Sequence, residues 1–358
     1  MTAVDIDGSR GEGGGQILRT SLALSMITGK PLVMRNIRAG RAKPGLRRQH
    51  LACVHAARDL CGATVHGDEV GSKYLEFTPA ALAGGAHTID IGTMGSSTLV
   101  VQTVLMPMVV GGHALRLVIR GGTLNPMAPP FEFLDRVFLP MLQAMGARVT
   151  MTLDRHGFIG ERGDLGQLTV EIAAGSEDAR LHAIEIVDTP PVTSRHAIAI
   201  LARLPTHVAD RELGVVHERL GWSRAECEIR ETRFGGPGNA LLLEVERDVE
   251  GMAHSNPTNP VRVIREIVSE IGEKGIRAEL VATRACEQLE RYLAANVPVG
   301  EHLADQLLLP MALAGGGRFR CAPLSLHATT NIETIGRFLD VPIRDEPDGD
   351  AVVVTVGA

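Results

Sequence analysis

Two short stretches of this 358-residue sequence carry groups suited to chemistry on phosphates. The first is Gly11-Glu12-Gly13-Gly14-Gly15-Gln16-Ile17-Leu18-Arg19, set between a strand and a helix by the apolar pattern. Glycines let a backbone approach a ligand closely, and the helix that follows turns its free N–H groups toward an anion. It is not a dinucleotide fingerprint, because Gln16 stands where a third glycine would be. Thr28-Gly29-Lys30-Pro31 is no P-loop either, since Leu24 and Pro31 occupy its first-glycine and Ser/Thr positions. The second stretch is Ser325-Leu326-His327-Ala328-Thr329-Thr330-Asn331, read as a polar loop ahead of a helix that begins at Asn331. It sets one imidazole among hydroxyl and amide groups able to orient it, whereas most histidines are surface or satisfied core residues. Glu301, Asp305 and Gln306 open a neighbouring helix, where carboxylates ordinarily complement the N-terminal dipole.

Charge distribution sharpens the phosphate reading. A net charge of −6 would by itself disfavour a phosphate-rich partner. Between Gly13 and Arg58, however, there is no acid, while Arg19, Lys30, Arg35, Arg38, Arg41, Lys43, Arg47, Arg48 and Arg58 are basic. That is a local cationic segment in an acidic chain. Lysine occurs only at 30, 43, 73 and 274, so arginine, with its planar bidentate fork, carries nearly all the positive charge.

Other classes fall away. With 44% hydrophobic and 22% charged residues the composition is that of a globular protein. The apolar runs Thr98 to Val110 and Leu307 to Ala314 are too short to span a bilayer, and no basic, then apolar leader opens the chain. Cys53, Cys61, Cys227, Cys286 and Cys321 form no C-x-x-C pair, so neither a disulfide framework nor a zinc knuckle is expected, and a cytoplasmic location is. His217-Glu218-Arg219-Leu220-Gly221 lacks the second histidine of a zinc protease, and no G-x-S-x-G elbow occurs.

The elements that must position these groups recur. A strand (Ala3 to Asp7), helix (Gly15 to Thr28), strand (Pro31 to Ile37), helix (Leu46 to Cys61) and strands near Val65 and Leu75 form one series. The order returns as Thr88 to Ile91, Ser97 to Val109, Leu115 to Arg120, Phe131 to Met145, and strands near Val149 and Val170. A third series runs from a helix at Glu301 to Ala314 through Arg318 to Ala322, Asn331 to Leu339, Ile343 and Val353. The expected fold class is therefore α/β (α+β), with three repeated units of two helices and a four-stranded sheet. Residues 181–275 break the pattern, with helices at Ser194 to Leu204 and Ala209 to Leu220 and strands at Ala225 to Glu231 and Ala240 to Glu246. They read as an inserted small α/β domain, leaving 1–180 plus 276–358 as the large one.

Six collinear stretches resemble the RNA 3'-terminal phosphate cyclase family. They are Gly11 to Arg19 and Ser325 to Ile332 above, with Arg38-Ala39-Gly40-Arg41-Ala42-Lys43-Pro44-Gly45-Leu46-Arg47-Arg48-Gln49-His50 and Gly95-Ser96-Ser97-Thr98-Leu99-Val100-Val101-Gln102-Thr103-Val104-Leu105. Gly121-Gly122-Thr123 with Asn125-Pro126 and Ala128-Pro129-Pro130, and Gly300-Glu301-His302-Leu303-Ala304-Asp305-Gln306, complete the set. The resemblance implies three copies of one unit with an insertion, and an ATP-dependent ligase chemistry that turns an RNA 3'-phosphate into a 2',3'-cyclic phosphate. It implies His327 as the nucleophile that takes AMP from ATP, with Arg19 and Arg38 neutralising phosphate charge. Glu12 would hold a divalent ion, magnesium or manganese. Gln102, His302, Leu303, Ala304, Asp305 and Gln306 match ATP-binding positions, with Pro129 and Phe133 flanking the adenine. Arg41, Lys43, Arg47, Gln49 and His50 are then expected to hold the RNA end. Two positions depart from the family: Gly157-Phe158-Ile159-Gly160-Glu161-Arg162-Gly163-Asp164 replaces a Gly-Phe-Tyr-Pro and glycine run, and His302 stands where a tyrosine can occur. The competing readings are a non-catalytic, RNA-binding ribosome-assembly relative and an enzyme that adenylates 5'-phosphates. No membrane partner is expected, and the resemblance leaves oligomeric state open.

Overall fold

Short β-branched runs alternating with apolar-faced helices build four separate mixed sheets of four strands each. The computed structural model describes residues 2–158, 165–175, 180–249 and 260–357. β1 (Val4–Asp7) crosses over through α1 (Gly15–Thr28) to lie parallel to β2 (Leu32–Arg35). After α2 (Arg48–Cys61), β3 (Thr64–His66) and β4 (Leu75–Thr78) complete the order β1-β2-β4-β3. The second sheet uses β5 (Gly85–Asp90), α3 (Ser97–Val110) and β6 (Leu115–Gly121) in the same way. A helix then begins as α4 (Phe131–Phe133), passes through a π turn at Leu134–Phe138 and ends as α5 (Leu139–Ala144). β7 (Val149–Arg155) and β8 (Gly166–Ile172) close the order β5-β6-β8-β7.

The chain next places β9 (Glu185–Ile186) and enters the inserted segment. There β10 (Val192–Ala202), α6 (His207–Leu220), β11 (Cys227–Thr232), β12 (Gly238–Asp248) and β13 (Val263–Ile271) give a sheet of order β11-β10-β12-β13. α7 (Ala278–Ala295) packs on this sheet beside α6, with Ala282, Ala285 and Leu289 sharing a core with Leu213, Val216 and Trp222. α8 (Glu301–Ala314), β14 (Gly317–Cys321), α9 (Leu326–Phe338), β15 (Ile343–Asp348) and β16 (Ala351–Val356) finish the chain. β9 runs parallel to β14 in the order β15-β16-β14-β9.

Two expectations need correction. Residues 194–202 are strand, not the start of a helix running to Leu204. Ile198, Ile200 and Ala202 enter the main core, while Ala197, Ala199 and Leu201 enter the second core beneath α6 and α7. A strand buried on both faces is apolar throughout, so the period of two that identifies it disappears from the sequence. The last motif is likewise more helical than expected: α9 begins at Leu326 because Ser325 caps it, its hydroxyl accepting from the Ala328 N–H at 3.4 Å. His327 therefore sits in a helical first turn, with the fixed backbone that a loop lacks.

Candidate active site

The three elements that carry the phosphate-type motifs meet in the main core. α1 contributes Leu18 and Leu22, α8 contributes Leu303 and Leu307, and α9 contributes Ala328 and Ile335, all buried. Their N-terminal ends converge as a result. Gln16, in the first turn of α1, donates from Nε2 to Asp305 Oδ1 of α8 at 2.6 Å, and its Oε1 lies 2.6 Å from Nδ1 of His327. Asn331 donates to the same Asp305 Oδ1 at 3.0 Å and to the Asp305 carbonyl at 3.1 Å, while Thr20 donates to Asn331 Oδ1 at 3.0 Å. Burial pushes the Asp305 carboxyl above its ordinary value, against the pull of Gln16, His327, Asn331 and Arg19.

This relay decides a tautomer. A carboxylate accepts only, so Gln16 must turn its NH2 toward Asp305 and its carbonyl toward His327. In the neutral imidazole the proton is then on Nδ1 and the lone pair on Nε2, and the residue as a whole is exposed.

The glycine loop is shaped by what fills its missing side chains. A Cβ on Gly14 would lie 2.2 Å from Glu12 Oε1, and one on Gly15 would lie 2.7 Å from His50 Nε2 and 2.9 Å from Arg19 Nη1. Donors from α1 and α2 thus crowd against the N-terminus of α1. Burial lowers Arg19 from its ordinary value, opposed by Cys53, Asp305 and Glu12, and it remains a cation. His50 is held down to about 3 by burial and by Arg38, Arg19 and Arg47 around it. Its Nδ1 accepts the Arg47 N–H at 3.0 Å, which leaves the proton on Nε2.

Glu12 is anchored on both sides. Its N–H donates to Thr330 Oγ1 at 3.0 Å, and Arg41 pairs with its Oε1 and bonds its carbonyl at 3.2 Å. Glu12 Oε2 is buried with no hydrogen-bond partner among the described residues. Arg38 has a positive φ of 53° and binds the carbonyls of Lys43 and Gly45 at 2.8 and 2.9 Å, closing its own loop. Lys43 and Arg47 are exposed, and Gln49 is half-buried near Gly95.

A cleft of about 460 Å³ opens beside His327. Gln102, Pro129, Phe133, His302, Asp305 and Gln306 line it, with Phe133 and His302 edge to face at 6.4 Å and 83°. Leu303 and Ala304 do not line it; their side chains are buried in the main core. Other walls of the cleft are Asn125, whose motif gives it no role, with Met127 on one side, and Ile267 and Ser269 of β13, which lie outside every motif, on another. Gln16 and Asn331 belong to motifs that give them no role; a polar side chain in the first turn of α1 is the signal for Gln16, and Asn331, in the second turn of α9, carries none. Residues 159–164 of the departing segment lie outside the described residues, while Phe158 is buried and bridges Leu124.

Comparison with known proteins agrees with the motifs. A family profile described as RNA 3'-terminal phosphate cyclase matches residues 10–344. The protein named RNA 3'-terminal phosphate cyclase of Koribacter versatilis is 44% identical over 342 residues, covering 95% of this chain and 91% of its own length. Those so named from Ectopseudomonas mendocina and Salmonella agona are 43% and 42% identical, covering 95% and 99% of this chain and 94% and 97% of their own. A solved EPSP synthase from Acinetobacter baumannii superposes over 95% of this chain and 61% of that one at 12% identity, with a TM-score of 0.26, too low to bear on the fold. On the profile match and these relatives, the chain belongs to the RNA 3'-terminal phosphate cyclase family.

Proposed function

We propose that this protein uses ATP to convert an RNA 3'-terminal phosphate into a 2',3'-cyclic phosphate, with His327 as the nucleophile. The observation that carries the reading is Gln16 held between Asp305 and His327, which directs Nδ1 of the ring to Gln16 and leaves Nε2 free to act as the nucleophile of the neutral ring beside a cleft of nucleotide size. In the first step Nε2 bonds the α-phosphorus of ATP as the bond to the β-phosphate oxygen breaks, and diphosphate departs. A 3'-phosphate oxygen of RNA next displaces His327 from that phosphorus. The neighbouring 2'-hydroxyl then attacks the 3'-phosphorus, loses its proton, and releases AMP.

The other groups fit supporting roles. Arg19 and Arg38 offset phosphate charge at the N-terminus of α1. Gln102 and the His302–Gln306 turn hold ATP, with Leu303 and Ala304 contributing backbone only, and Pro129 and Phe133 flank the base. Lys43, Arg47, Gln49 and His50 hold the RNA end; Arg41, paired with Glu12, does so only by leaving that partner. No group of three or more His, Cys, Asp or Glu able to hold a metal occurs among the described residues. Glu12, whose Oε2 is buried without a hydrogen-bond partner, would be the residue that holds a magnesium or manganese ion. When bound, such an ion neutralises the triphosphate.

The shared strand order of the first, second and last sheets supports reading the body as three copies of one unit. The pairing of β9 with β14 and the packing of α7 on the inserted sheet support an insertion running from β10 to α7, against the expected 181–275. No helix among the described residues is long and apolar enough to cross a membrane. All five cysteines are free thiols, which supports a cytoplasmic setting.

Incubation with α-labelled ATP and magnesium or manganese should yield an acid-labile protein–AMP adduct that is absent in His327→Ala. Wild-type protein that takes up no label would overturn the enzyme reading. RNA ending in 3'-phosphate should then discharge the adduct to a cyclic product, while a 5'-phosphorylated RNA ending in 3'-hydroxyl should not become adenylated.

A further inference from the structure

α8 carries the site's Asp305, yet it has no capping side chain of its own, because its N-cap is Gly300. The inserted sheet instead places a carboxyl group beside that position. Glu266 of β13 is 3% exposed, and its carboxyl group lies where a Gly300 side chain would begin: a Cβ there would be 2.2 Å from Oε2 and 2.8 Å from Oε1. The carboxyl group thus stands against the Gly300 backbone at the start of α8, and Oε2 is buried with no hydrogen-bond partner among the described residues. On the same strand, Ile267 and Ser269 line the cleft. One strand thus forms a wall of the cleft and grips the start of the helix that holds Gln16 and, through it, His327.

We propose that Glu266 is a positioning residue, through which the inserted sheet fixes the first turn of α8 and so the Asp305–Gln16–His327 relay. This rests on the catalytic reading above. It predicts a pH signature, because of what surrounds the group. Facing Glu266 are the Gly300 N–H and Glu301 of α8, and Tyr292 of α7, whose hydroxyl is bonded by Arg247 of β12 at 3.3 Å. Burial, with Glu301 adding to it, pushes Glu266 up to about 8, and Tyr292 beside it is pushed up to about 12. Glu266 is then an uncharged acid at neutral pH. Its ionisation as pH rises through about 8 places a buried charge at the joint and loosens it.

The test compares Glu266→Gln and Glu266→Ala with the parent chain, over pH 6 to 9.5, by two readouts. One is the rate of protein–AMP formation; the other is ATP affinity in a His327→Ala background, where no adduct can form. Glu266→Gln, which keeps an uncharged acceptor of the same shape, should match the parent at pH 7 and abolish the fall in rate and affinity above about pH 8. Glu266→Ala should lower both about tenfold at pH 7, as loss of a group seated at a helix N-terminus does. An alkaline fall that persists in Glu266→Gln, or Glu266→Ala with unchanged ATP affinity, would overturn the proposal. If the parent chain forms no adduct, the catalytic reading fails, and the affinity measurements still decide the role of Glu266.

Discussion

Two histidines stand on opposite sides of the α1 N-terminus and are held in opposite tautomers. His327 is exposed and donates its Nδ1–H to Gln16 Oε1, so that in the neutral ring the lone pair lies on Nε2. His50 accepts the Arg47 N–H on Nδ1, keeps its proton on Nε2, and is held by burial and three arginines far below the range where histidines titrate. The ring is the same; the hydrogen bond at Nδ1 decides which nitrogen holds the lone pair, and on the proposed function that separates a nucleophile from a phosphate donor. On the proposed function, pairing the two divides the site into a nucleophilic half, built by α1, α8 and α9, and an anion-holding half, built by α1 and α2.

That contrast can be broken at three points. Removing the acceptor for His327 should cost most: Gln16→Leu leaves the tautomer unfixed and should slow protein–AMP formation by about 10²- to 10⁴-fold, as loss of a histidine's orienting partner does elsewhere. Rapid-quench measurement of adduct formation reads this, and a rate within a few-fold of the parent would refute the relay. Gly15→Ala acts on the junction of the halves. Its new methyl must displace His50 Nε2 and Arg19 together, so capture of the RNA 3'-phosphate should weaken by about 10- to 100-fold, seen in the KM for RNA. A KM left unchanged would mean these donors do not hold the RNA end.

The smallest effect concerns pH. His50 should show no titration between pH 5 and 8 in histidine-resolved NMR, and His50→Gln should leave the pH profile of the reaction unchanged over that range. Stability carries the matching sign. Because the folded value lies near 3 and the ordinary value is 6.5, the contribution of neutral His50 is fully present above 6.5 and is lost as pH falls toward 3. His50→Gln should therefore unfold less steeply with acid, and an equal slope in urea melts at pH 4 and pH 7 for both proteins would contradict the assignment.

Much of the site was legible because its residues come in short motifs, each tied to one helix terminus. What the motifs could not reveal is which of their members meet. Gln16 and His327 are 311 residues apart, and Gln16 had value at first only as a break in a glycine pattern. Leu303 and Ala304 belong to a matching run, yet a helix turns consecutive residues to different sides, and these two face the core. The acid-free segment was correctly basic in composition, but Arg41 is paired to Glu12 and Arg38 to carbonyls of its own loop. Charge counted along the chain overstates what is offered to a partner. The fold shows the same limit at β10, where two cores claim alternate residues and erase the alternation that marks a strand.

The pairing of β9 with β14 has a consequence for synthesis. Glu185 lies beside Arg318, so this edge of the last sheet remains open until 133 further residues have been made. At ribosomal rates that is a delay of roughly 7–27 s. The inserted sheet and its two helices emerge whole within that interval, with their own core. The nascent chain can therefore complete the guest before the host, and closing the last sheet, which also brings α8 and α9 to α1, is the event that first joins Gln16, Asp305 and His327.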